Sequence, residues 1–191
     1  MKTVRYLMVL LICVVGIAGS ARSDDGFVSD KEYKSYFFDI YAEKDIDKDK
    51  IVMGLYSPPS LTALIRKSIS MFDINTVSGV LDVLYMGVAE IMDMRLRKFR
   101  CSVKICKDTD TFEKLKESIY GQKTDQRRSF YLPQSNTIYI NSEKPDISAV
   151  GYAMSQAIQT NYFIVPAPES LQEITAGYVE FELKRYTKNN I

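Results

Sequence analysis

Histidine is absent from the 191-residue chain. That removes the commonest general base and the commonest zinc ligand together, and it excludes Ser-His-Asp and Cys-His catalysis. Any chemistry has to rest on carboxylates, lysines, tyrosines or residues lent by a partner. Cysteine is scarce, with three in the chain at positions 13, 101 and 106. An excess of one charge is also missing. Of the 25 basic residues, Lys2 and Arg5 lie in the N-terminal leader, which leaves 23 against 24 acidic ones. A nucleic-acid binder concentrates Lys and Arg on one face. Here the longest basic cluster, Arg95, Arg97, Lys98 and Arg100, reads as a solvated helix end, so no nucleic-acid partner is expected.

The chain opens with two positive charges, an apolar run from Tyr6 to Ala18, and then small residues. This is the three-part pattern of a secretory signal. Cleavage after Ser20 or after Ala21 would each place small residues at the processing positions. The apolar run is shorter than the ~20 residues that cross a bilayer, so residues 1–21 are expected to be removed rather than kept as an anchor, leaving no stable membrane span. Cys13 follows Ile12 midway through the run, which does not suit a lipid-attachment site. The mature chain is then exported, periplasmic or extracellular, and long enough for one core.

Disulfides can form in such a compartment, but Cys101 and Cys106 are poorly placed for one another. The residues between them, Ser-Val-Lys-Ile, alternate as a strand does. Five steps of roughly 3.3 Å carry the two Cα atoms beyond the ~7 Å limit for a bridge, on opposite faces. Two buried thiols, or one buried and one exposed, are both compatible with this spacing.

Residues 22–57 are polar with scattered aromatics and read as an irregular segment. Within it Asp45, Asp47 and Asp49 imitate half of a calcium loop, but Lys50 stands where the turn needs glycine and Tyr56 where the bidentate glutamate belongs. From residue 58 to 191 the pattern is that of a folded α+β domain. Ser60 follows two prolines as an N-cap for a helix carrying Leu61, Leu64, Ile65 and Ile69. Apolar residues from Val77 to Met92 recur at three and four, predicting a helix over 76–94. A strand over 99–106 precedes a helix from Asp108 or Thr109 to Tyr120, ended by Gly121. SFYL and NTIYI flank Pro133-Gln134-Ser135 as a β-hairpin. Two helices close the chain, over 147–163 and 169–186, separated by Pro166 and Pro168.

The segments FYLPQSNTIYI and VGYAMSQAIQTNYFIVPAPESLQEITAGYVEFEL carry a resemblance. They are similar to a group of exported HExxH proteins of the gluzincin type, in which a hairpin of the form Y-x-P…NTIY runs into AHEMAHAI…HYF…PP…QEILA-YV. The likeness covers roughly residues 80–184. In that family histidines at i and i+4 of one helix bind zinc, the glutamate between them activates the metal-bound water, and a glutamate of the next helix completes the ligand set. Carried over, the first histidine falls on Tyr152, the catalytic glutamate on Ala153, the second histidine on Gln156, and the downstream glutamate on Glu173. Three of the four are lost.

What the resemblance implies is a zincin-like fold: a small sheet with a hairpin, packed against several helices, the last two being the degenerate active-site helix and the glutamate helix. It implies no catalytic residue, no metal and no cofactor, and therefore a pseudo-metallopeptidase that keeps its former substrate cleft as a surface for a peptide or protein, or merely as scaffold. Read without the resemblance, Ile147, Val150, Met154, Ala157 and Ile158 are the buried stripe of an ordinary helix. The other functional class is an enzyme of a different type, or a peptidase completed by a partner's residues.

Overall fold

The computed structural model describes residues 25–65, 69–121 and 128–188. The leader and Cys13 lie outside the described residues. Five strands form one sheet: β1 (Lys31–Lys34), β2 (Phe38–Ala42), β3 (Cys101–Cys106), β4 (Ser129–Leu132) and β5 (Thr137–Asn141). Their order is β1-β2-β3-β5-β4. The three inner strands are parallel, and β1 and β4 run antiparallel to their neighbours at the two edges. Six α-helices accompany them among the described residues: α1 (Lys48–Gly54), α2 (Pro59–Thr62), α3 (Val77–Ile91), α4 (Thr109–Tyr120), α5 (Ile147–Tyr162) and α6 (Glu169–Lys188). The fold is thus mixed α and β, as expected.

Strand alternation divides the interior into two layers. Val103 and Ile105 of β3, with Ile40 of β2 and Ile138 of β5, enter a large core that also holds α1, α3, α5 and α6. The opposite face of the sheet carries a smaller cluster of Cys106, Phe130 and Tyr139 beneath Phe112 and Leu115 of α4. Cys101 belongs to the first layer and Cys106 to the second, so the two are free, buried and on opposite faces. Burial pushes the Cys101 thiol up to about 12, and burial, followed by the nearby Glu43, pushes Cys106 up as well. Neither supplies a thiolate at neutral pH.

Several local expectations are met atom by atom. The Asp108 side chain caps α4 by accepting from Thr111 N at 2.7 Å, and Gly121 ends that helix at φ +70°. Thr76 caps α3 through Gly79 N. In the hairpin, Asn136 takes a left-handed conformation at φ +48° after a short 3-10 turn. Its side chain accepts from Tyr131 Oη at 3.0 Å and donates to the Arg100 carbonyl at 2.8 Å, which joins the turn to the start of β3.

Three expectations need correction. The described part of the 22–57 segment, residues 25–57, is not an irregular stretch outside the domain: it supplies β1, β2 and α1, with Phe38, Ile40, Ala42, Ile51 and Leu55 buried. The alternation Phe-Asp-Ile-Tyr-Ala is a half-buried strand pattern, masked by the charge around it. Asp47, one of the three aspartates of the apparent calcium loop, is the N-cap of α1 and accepts from Lys50 N. Ser60 is not a cap either. Pro59 opens α2, as its fixed φ suits the first turn, and the element is only four residues long before a 3-10 turn over Ala63–Ile65. Finally, the basic cluster is not a helix end. Arg95 pairs with Glu90 beyond the end of α3, and Arg100 grips the Asp39 carboxylate while donating to the Ser35 carbonyl at 3.0 Å.

Candidate functional site

The two closing helices meet beside the edge strand β4. The carboxylate of Asp146 starts α5, accepting from Ser148 N at 2.9 Å and Ala149 N at 3.3 Å. Burial pushes that carboxyl up, but the Ser148 and Ala149 hydrogen bonds outweigh it and hold the group below its ordinary range. Pro166 and Pro168 interrupt the chain before α6, and Gln172 secures the new helix by donating to the Ala167 carbonyl at 2.7 Å. Gly151 lets the two helices close together: a Cβ there would lie 2.0 Å from Leu183 Cδ1. Gln159 of α5 also donates to the Gln172 carbonyl at 3.3 Å.

This geometry brings together three of the four residues singled out in the sequence. Tyr152 and Gln156 stand one turn apart on α5, facing the first turns of α6. The Tyr152 hydroxyl donates to Glu173 Oε2, and Gln156 Nε2 donates to Glu173 Oε1 at 3.3 Å. One carboxylate therefore accepts from both side chains, each through a different oxygen. Ala153 does not join them. It is fully buried in the large core, so position 153 is packed rather than open to the cluster. Glu173 is exposed, and solvent reaches its carboxylate.

The cluster lies in a cleft of about 450 Å³. Its walls are β4 with Ser129, Phe130 and Tyr131, the start of α6 with Glu169, Gln172 and Glu173, and the end of α4 with Lys116 and Tyr120. Sequence reasoning missed most of these. Glu169 lies four residues before Glu173, on the same helical face, and that periodicity was a usable signal. Lys116 and Tyr120 come from a helix distant in the chain, and nothing local marks them as neighbours of α6. Among the described residues no group of three Cys, Asp or Glu side chains is arranged to hold a metal ion. A phenol, a primary amide and one carboxylate are likewise a weak donor set for zinc.

The exposed position of Glu173 limits what the cluster contributes to stability. A buried bond to a charged acceptor is worth ~1.5–3 kcal/mol, but here water takes over the freed carboxylate. Tyr152→Phe is expected to lower unfolding free energy by about 1 kcal/mol, and Gln156→Ala by less, because its bond is longer and half-exposed. Urea denaturation of the two variants checks the order. Comparison of the chain with protein-family models, with curated proteins and with solved structures found no match.

Proposed function

We propose that this chain is an exported, zincin-like pseudo-metallopeptidase that binds an extended peptide segment of a partner without cleaving it. The observation that carries the reading is the Tyr152–Glu173–Gln156 cluster inside the cleft. In the resembling family, residues at these positions would converge on zinc; here a phenol and an amide converge on the surviving carboxylate instead. The family's water-activating glutamate is replaced by Ala153, and no histidine exists anywhere in the chain to stand in for it.

The cleft also suits a strand-like ligand. β4 is the last strand of the sheet and lines the cleft, so an extended peptide laid in the cleft would run beside an edge strand. Phe130 and Tyr131 line the cleft with aromatic rings, and Glu169, Glu173 and Lys116 line it with charged groups. Main-chain pairing supplies affinity in this mode and side-chain pockets supply selectivity.

The test is selection of displayed hexapeptides on the purified mature protein. Enriched peptides are expected to bind in the micromolar range, to remain intact on prolonged incubation with added zinc, and to lose at least tenfold in affinity on Gln156→Arg, which fills the cleft from a partly exposed position. Cleavage of a bound peptide would overturn the non-catalytic reading. Binding that is indifferent to Gln156→Arg would remove the cleft as its site.

A further inference from the structure

α6 is apolar on two faces. Ala176, Val179 and Leu183 are buried against the rest of the domain. Leu171, Ile174, Tyr178 and Phe181 are exposed, at 49%, 70%, 53% and 62%. At about 100° per residue these four fall within roughly 80° of arc, on the side away from the buried trio. Single exposed apolar residues need no explanation. Four in one stripe, on a helix whose other face is already buried, describe a helix meant to lie between two layers.

The spacing within the stripe is three, four, three, the a and d seam of a heptad repeat. Gly177 occupies the g position beside it. A Cβ at Gly177 meets nothing within 4 Å, and its φ is ordinary, so no contact or turn among the described residues requires glycine there. Glycine weakens the interior of a helix relative to alanine. In an antiparallel pair the g positions of the two helices face each other, and a residue without a side chain allows close approach at that point.

Charge sets the direction. Glu169, Glu173, Glu180 and Glu182 precede Lys184, Arg185 and Lys188, so the helix is acidic over most of its length and basic at its end. Two copies side by side in the same direction would align like charges. Antiparallel, the basic end of each meets the acidic start of the other, and the helix dipoles oppose. A membrane-lying helix would instead flank its apolar stripe with Lys and Arg along its length.

We infer that α6 pairs antiparallel with α6 of a second copy of this chain, about a two-fold axis near Gly177, through Leu171, Ile174, Tyr178 and Phe181. The pairing is isologous, so every contact occurs twice. It leaves the cleft-facing side of α6 free and does not rest on the reading of that cleft.

Sedimentation equilibrium of the full mature protein is the test. A dimer with micromolar or tighter affinity is expected, and Ile174→Glu or Phe181→Glu should each weaken it by about 100-fold or more, since each removes a buried apolar group twice. Both positions are exposed in the single chain, so thermal melting of the dilute protein should be unchanged. Orientation is read by mild oxidation. Ser170→Cys chains mixed with Lys184→Cys chains should cross-link to each other, because an antiparallel pair sets those two g positions together, whereas Ser170→Cys chains alone should not. A chain that stays monomeric at submillimolar concentration, a Ser170→Cys self-cross-link, or binding of monomers to phosphatidylglycerol–phosphatidylethanolamine vesicles that Phe181→Glu abolishes would each overturn the proposal.

Discussion

Replacing Tyr152 and Gln156 together by histidine is expected to create a site that binds a single zinc ion at ~1 μM or tighter, about −8 kcal/mol of standard binding free energy and about 4 kcal/mol more than a millimolar binder. Positions i and i+4 put the two imidazoles on one face of α5, and Glu173 already accepts hydrogen bonds from both side chains that now occupy those positions. Two nitrogens and one carboxylate oxygen leave a fourth tetrahedral place for water. Histidine is shorter than tyrosine, so the carboxylate has to swing toward α5, which its exposed side chain is free to do. The substitution at Tyr152, only 2% exposed, leaves a smaller ring in a packed site and costs about 1–2 kcal/mol without metal. Zinc binding to the folded state should more than offset that, raising the melting temperature on addition of the ion. Isothermal titration with zinc measures the affinity, and Glu173→Ala in the same background should weaken it strongly. A folded, soluble double variant with no zinc affinity would refute the correspondence between these positions and the zinc ligands of the resembling family. Adding Ala153→Glu should destabilise the protein rather than create a peptidase, because position 153 lies within the core.

Asp82→Ala is expected to destabilise the fold by about 3 kcal/mol in urea at neutral pH, the largest loss from any single polar side chain named here. Asp82 sits on α3 at 4% exposure. Its two oxygens accept from Tyr36 N at 3.0 Å and Phe37 N at 3.2 Å, so one helix side chain holds the turn between β1 and β2. Phe37 in turn packs on Tyr85, with ring centroids 4.1 Å apart, and Tyr85 stacks on Phe99 at 4.5 Å. Alanine leaves two amides without their acceptor and loosens that aromatic stack. Asp82→Asn should cost less, because a carbonyl still serves one amide while its amino group faces the other.

The same residue carries a pH signature. Burial pushes the Asp82 carboxyl above its ordinary 3.8, against the opposing hydrogen bonds from Tyr36, Ser35 and Phe37. A carboxyl raised in the folded state binds its proton more tightly folded than unfolded, so the extra stability linked to that proton is full below 3.8 and is lost as pH rises through the folded value, while the hydrogen bonds to Tyr36 and Phe37 remain. The stability advantage of the native chain over Asp82→Asn should therefore widen as pH falls from 7 toward that range. An advantage that narrows would mean the carboxylate is held in its charged form.

The elements easiest to read in the chain are those whose signals span four residues or fewer. Asp108 and Gly121 bracket α4, and Pro133 marks the hairpin turn. Each of these is a side chain acting on its own backbone or a φ preference, and neither depends on what the segment packs against. The pairing of Tyr152 and Gln156 across one turn is of the same kind. β1 was illegible for the opposite reason. Lys31-Glu-Tyr-Lys has no apolar face of its own, and the strand is held by β2 on one side and by a turn that Asp82 and Arg100 fix from 46 and 65 residues away.

The candidate site divides along the same line. That a carboxylate on the last helix should meet a phenol and an amide on the helix before it follows from residue order, helical period and the proline break, all of them properties of a short stretch of chain. That the meeting place is an open cleft, that β4 is an edge strand beside it, that Lys116 and Tyr120 close its far wall, and that Glu173 is wetted while Ala153 is buried are consequences of how distant segments stack on the sheet. Burial of apolar area is non-directional and set by the whole core, so the exposure of a residue cannot be assigned until every layer around it is in place. The exposed stripe of α6 shows the same limit from the other side: its heptad spacing is written in residues 171–181, but only packing against α5 reveals which of its two apolar faces is left open.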